Sequence, residues 1–162
     1  MRRGRRPAIL EPMTPQETAL ASAVRTELDW DRRLANANVR VQIVDGVLVL
    51  LGQVSSYEQK CAAARAAARA DGAEFVHNRL EVVLAPESQV SDSRLRRLAR
   101  QALEQEPLAP VGRITIGVRN GLVTLRGMVD FPIEREASSA AVRRLPSIVG
   151  LRNELTLRRA AS

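Results

Sequence analysis

Arg94, Arg96, Arg97 and Arg100 set four guanidinium groups close together in one stretch of chain. A guanidinium stays charged at any ordinary pH, and its fork of donors matches phosphate and carboxylate oxygens. Such a cluster suits anion recognition, and an ordinary solvated helix face is the plainer reading. Catalysis has less to draw on. His77 is the only histidine, and alternation puts it with Arg79 and Glu81 on the polar side of its segment. Cys61 is the only cysteine and reads as a small core residue within an alanine-rich stretch. One thiol and one imidazole cannot furnish a zinc site. Glu134 and Glu136 have no partner group at a useful spacing and read as a solvated face. A Gly-x-x-x-x-Gly-Lys phosphate loop is absent from the sequence. The residues therefore predict no enzyme activity, no cofactor and no metal.

The elements that must carry these residues come in two copies. Asp45-Gly46, an apolar run and Gly52 recur as Asn120-Gly121, an apolar run and Gly127, at a constant offset of 75. At that spacing Leu20 meets Leu95, Leu28 meets Leu103, Val54 meets Val129, and Asn78-x-Leu80 meets Asn153-x-Leu155. A gap-free repeat of this length is a small domain rather than a solenoid unit.

Each copy reads as α-β-β-α-β. Thr14-Pro15-Gln16-Glu17 combines an N-cap, a first-turn proline and a capping-box acid, and Leu20, Val24 and Leu28 follow at helical spacing. In the second copy Ser91 or Asp92 caps a helix whose apolar stripe is Leu95, Leu98, Ala99, Ala102 and Leu103. At ~100° per residue that stripe spans about 140° of the wheel and leaves the four arginines on the remainder. Val39, Val41 and Ile43 alternate with polar residues, as do Ile114, Ile116 and Val118. Asp-Gly and Asn-Gly are the preferred dipeptides of a two-residue type I′ hairpin, with return strands at 47–51 and 122–126. Gly52 and Gly127 then predict a bulge or bend at the strand exit. Ser55-x-x-Glu58 predicts a capping box for the second helix, which Gly72 can terminate; Asp130 is the predicted cap in the second copy, and Pro146 blocks continuation. Closing strands are predicted at 76–84 and 151–157. Asn78 and Asn153 share the parity of their apolar neighbours, so they are predicted to point to the core and bond backbone at the sheet edge or a loop.

Charge is uneven. Residues 14–87 carry 8 basic and 10 acidic side chains, a net −2; residues 88–162 carry 13 and 7, a net +6. Arg2, Arg3, Arg5 and Arg6 make residues 1–13 a flexible basic arm. The second copy and the arm would attract anions, and the first copy would not. Aromatic residues are only 2% of the chain, which disfavours base stacking and hence nucleic acid. Glu11, Pro12, Pro15 and Glu17 interrupt what would be the apolar core of a signal peptide, so a cytoplasmic, membrane-peripheral protein is expected, with a twin-arginine export signal as the alternative. No run reaches the ~18 apolar residues of a membrane span.

The ordered set resembles the BON domain: a Leu-x-x-x-Leu helix, a strand, Asp/Asn-Gly, an apolar strand ending in Gly-x-Val, an alanine-rich helix and a final Asn-x-Leu strand. The likeness covers residues 14–84 and 91–158, with 85–90 as linker. It implies an α+β fold, each unit a three-stranded mixed sheet packed against two helices. It also implies a non-enzymatic role at the cell envelope, binding phospholipid or supporting membrane integrity under osmotic stress. Three readings follow: a module docking on anionic phospholipid through Arg94, Arg96, Arg97 and Arg100 or on a protein partner; a purely structural interaction module, self-associating into a homo-oligomer or attached to another protein; and a weak nucleic-acid binder using arginine alone.

Overall fold

Residues 12–159 are described by a computed structural model; the arginines of the basic arm lie outside the described residues. The first unit runs α1 (Pro15–Trp30), β1 (Asn38–Val44), β2 (Val47–Val54), α2 (Tyr57–Ala68), β3 (Val76–Asn78) and β4 (Glu81–Val82). The second runs α3 (Asp92–Gln105), β5 (Ile114–Arg119), β6 (Leu122–Val129), α4 (Pro132–Arg143) and β7 (Gly150–Leu157). The hairpin makes β1 and β2 antiparallel, and the crossover through α2 returns the chain parallel to β2 on its other edge. The order β1-β2-β3 therefore puts the second strand in the centre, and the second unit repeats it as β5-β6-β7.

The closing strand of the first unit is not the continuous one that alternation predicts. Leu48 pairs with Val76 and Gln53 with Glu81, the same register on both sides of a break at Arg79 and Leu80. Arg79 and Val83 still donate backbone N–H groups to Leu50 and Val54, both at 2.9 Å. β3 and β4 are thus one interrupted strand. β7 has no break and pairs with β6 from Gly150 to Leu157.

Both cores lie between the helices and one face of the sheet. Val24, Leu28, Leu48, Leu50 and Leu80 fill the first; Leu95, Leu103, Val123, Leu125 and Ile148 fill the second. α2 buries Ala62, Ala63, Ala66 and Ala67 completely. Methyl-sized side chains let that helix lie close to the sheet, and they order without loss of rotamer entropy. Ser138 takes the place of Ala63 in the second unit, fully buried, and its hydroxyl donates to the Glu134 carbonyl at 2.7 Å. That bond satisfies a group whose burial would otherwise cost stability.

Several local expectations are corrected. Gly52 and Gly127 mark no bulge: β2 pairs one-to-one with β1 through Gln53, and β6 pairs one-to-one with β5 up to Gly127 and with β7 on to Val129. Each glycine instead holds a left-handed φ, 123° and 144°, where a Cβ would collide with the backbone carbonyl of Asn38 or Arg113. Ser56, not Ser55, caps α2, accepting from Gln59 N–H at 3.1 Å, while the Gln59 side chain reaches back to Ser55 N–H. Asp130 does not cap α4. Glu134 does that work, its carboxylate accepting the N–H groups of Asp130 at 2.8 Å and Phe131 at 3.1 Å. Asp130 is drawn off by Arg113 and Arg158, which lie nearer to it in space than in sequence.

Candidate functional site

The arginine face is fixed by the opposite side of α3. Ser91 Oγ accepts Arg94 N–H at 3.3 Å and starts the helix. Leu95, Ala99 and Leu103 are fully buried and set its rotation, so Arg94, Arg96, Arg97 and Arg100 all project to solvent. None of the four forms an ion pair with a described residue. Other arginines of this unit are engaged: Arg113 and Arg158 with Asp130, Arg126 with Glu154, Arg143 with Glu136. The Arg113 contact holds the Asp130 carboxyl below its usual range, and Arg126 does the same for Glu154. In the first unit the positions matching the four arginines are Ala19, Ala21, Ser22 and Arg25. The face belongs to the second unit alone.

Asp92 has a role that sequence reasoning missed. Its carboxylate accepts the N–H groups of Asn120 at 2.8 Å and Gly121 at 3.1 Å, tying the start of α3 to the hairpin turn. The sequence does carry a faint sign of it. Ser91 already suffices as cap, leaving an acid with no helical duty. The matching residue of the first unit, Glu17, is consumed by its own capping box with Thr14, at 2.9 and 3.2 Å. The α3 macrodipole favours this acid at the N-terminus, and the arginines begin immediately beyond it.

The turn residues sit where type I′ geometry places them: φ is 50° and 78° at Asp45 and Gly46, 49° and 80° at Asn120 and Gly121. Asn78 and Asn153 face inward, yet neither is sealed in the core, and each bonds a helix carbonyl as well as the expected backbone at the sheet edge. Asn78 Nδ2 donates to the Lys60 carbonyl at 2.8 Å and its Oδ1 accepts Leu80 N–H at 3.2 Å. Asn153 does the same with Arg135, at 3.4 Å, and Leu155, at 3.1 Å. Each amide pins the third strand to the helix that precedes it.

The remaining candidates disperse. His77 is exposed on the open side of the sheet and pairs with no described acid. Cys61 is half-buried rather than a core residue, a turn along from Tyr57. Tyr57 packs against the second core and its hydroxyl faces the Leu151 carbonyl at 3.5 Å. Burial, then the Cys61 contact, pushes its phenol up to about 12. Glu134 is half-buried and structural, whereas Glu136 stays exposed with Arg143 at 3.5 Å. Among the described residues no three His, Cys, Asp or Glu side chains gather as metal ligands would, and no helix is long and apolar enough to cross a membrane.

The BON domain family matches twice, at residues 16–83 and 91–159. Among solved structures, the C-terminal domain of CdsD, a structural protein of the type III secretion system of Chlamydia trachomatis, is similar at 14% identity and a TM-score of 0.37, over 88% of this chain and 67% of that one. A second CdsD structure is similar at 15% identity and a TM-score of 0.37, over 88% of this chain and 64% of that one. This chain therefore spans about two thirds of those structures. No curated protein matches it in sequence.

Proposed function

We propose, on the premise that this chain belongs to the BON domain family and carries two copies in tandem, that it is a non-enzymatic module docking on anionic phospholipid surfaces through its second unit. One observation carries the reading: Arg94, Arg96, Arg97 and Arg100 are exposed on one helix, and none is neutralised by a described residue. Paired arginines would offer a headgroup little. Unpaired ones near an anionic leaflet contribute on the order of 1 kcal/mol each. The buried stripe of the same helix fixes the backbone that carries the four, so docking orders side chains but no backbone. A peripheral site at the cell envelope, engaged under osmotic stress, is the setting the family premise favours.

The test compares vesicles of anionic and neutral phospholipid in co-sedimentation with the full chain, with DNA and RNA as competitors. Arg96→Glu, Arg97→Glu and Arg100→Glu together should abolish binding to anionic vesicles and leave the circular dichroism spectrum unchanged. Wild-type binding should weaken as salt shortens the Debye length from ~10 Å at 0.1 M towards ~3 Å at 1 M. A chain beginning at Pro12, tested in parallel, separates the contribution of Arg2–Arg6. Salt-insensitive binding retained by the triple variant would refute the lipid reading and leave a protein partner in its place.

A further inference from the structure

The open side of the first sheet is apolar where that of the second is not. Side chains of β1 and β2 facing away from the helices include Val44, Val47, Val49 and Leu51, the parity opposite to the core residues Leu48 and Leu50. Phe75, the residue before β3, shares the parity of His77 and Arg79. Register then arranges this face in three rows. Val47 lies between Val44 and Phe75; Gln42, Val49 and His77 form the middle; Arg40 and Arg79 flank Leu51. Val44 is 52% exposed and Phe75 68%. In the second unit the positions of Val44, Phe75 and Leu51 are Arg119, Gly150 and Arg126, and Arg126 pairs with Glu154. The fold therefore works without an apolar open face, and something other than folding accounts for this one.

The pattern names its own complement. Arg40 and Arg79 make no ion pair with a described residue. Turning a second sheet end for end lays its apolar row over this arginine row. Leu51 then meets Val47, the Arg79 guanidinium covers the Phe75 ring, and the Arg40 stem crosses Val44 with its head towards Asp45. Cation–π contact favours the first of these charges and the turn carboxylate the second. A two-fold axis along the middle row repeats every contact, which is the condition for an isologous interface. We propose that the open faces of two first units pack together, strands antiparallel, as a dimer of this chain. Three strands ~4.8 Å apart, each contributing about five residues at ~3.3 Å to these rows, outline about 14 by 16 Å. That footprint falls short of the ~800 Å² per partner of a standard interface, so the dimer is weak and reversible.

Sedimentation velocity of the full chain, from micromolar to millimolar concentration, reads this directly. Wild type should pass from monomer to dimer across that range. Phe75→Arg puts two guanidiniums opposite each other on both sides of the axis, and it should weaken dimerisation at least tenfold. Adding Arg79→Phe exchanges the two partners and should restore it. Val44→Lys, opposite Arg40, should act like Phe75→Arg. All three positions are exposed, and matching circular dichroism spectra and melting curves would exclude unfolding as the cause. A wild type that stays monomeric throughout, or a Phe75→Arg variant that dimerises normally, overturns the proposal. So does a double variant that stays monomeric, because only the antiparallel register predicts rescue. Vesicle binding through α3 should be unaffected by Phe75→Arg, so this test and the lipid test fail separately.

Discussion

Gly52→Ala should be far more damaging than Gly46→Ala, although Gly46 lies in the tighter-looking turn. Both glycines have left-handed φ, 123° and 78°. At Gly46 a Cβ would meet nothing within 4 Å, so the cost is the conformational one alone, about 1 kcal/mol. At Gly52 the φ lies where essentially only glycine is found, costing ~1–3 kcal/mol. The Cβ would also run into the Asn38 carbonyl on the neighbouring strand. That oxygen is backbone and cannot rotate away, so β1 must shift and its pairing with β2 weaken. A total of about 3–4 kcal/mol is reasonable, a strained residue plus one or two lost ladder bonds at ~1 kcal/mol each. For a unit of this size 1 kcal/mol moves the midpoint by ~4–8 °C, so Gly46→Ala should lose about 5 °C and Gly52→Ala at least ~12 °C. Differential scanning calorimetry, with circular dichroism as a second probe, measures both. Gly127→Ala, against Arg113, should behave like Gly52→Ala but on the second unit. Equal losses for Gly46→Ala and Gly52→Ala would refute the close-approach argument.

Asn78→Ala should destabilise by ~1–3 kcal/mol in urea, and by more than Asn153→Ala, because the Asn78 bond to its helix carbonyl is 2.8 Å against 3.4 Å. Asp92→Ala should leave the α3 cap intact yet loosen the second hairpin, seen as faster hydrogen exchange at Asn120 and Gly121. Asp130 is held below the usual carboxylate range in the folded chain, chiefly by Arg113. Its contribution is present above the unfolded value of ~3.9 and is lost as pH falls through the lower folded one. Asp130→Asn should therefore flatten the acid limb of stability measured by urea titration below about pH 4. Tyr57 is the only tyrosine, and its tyrosinate absorbance should rise near pH 12 in the folded chain and near ~10 after unfolding. The folded state keeps its proton longer, so stability is whole below the unfolded value and falls as pH rises between the two. A folded-state midpoint at the unfolded value would show that the phenol is not buried against the second unit.

The sequence by itself determined the repeat, the α-β-β-α-β order, the type I′ hairpins and the rotation of α3 that exposes Arg94, Arg96, Arg97 and Arg100. All of these rest on local signals: a constant offset, a turn dipeptide, a helical stripe, a cap. Tertiary structure decided matters that hinge on partners distant in the chain. Periodicity says that Asn78 and Asn153 face inward, but only the packing of α2 and α4 offers them the Lys60 and Arg135 carbonyls. Asp130 has the right chemistry for a cap, and the folded chain gives it to Arg113 instead. Gly52 and Gly127 look like bulge residues until the neighbouring strand shows whose carbonyl occupies the space. The apolar open face of the first sheet was legible only once register had set Val44, Val47 and Phe75 in one row, because residues that far apart in sequence share a surface only when strand pairing brings them together.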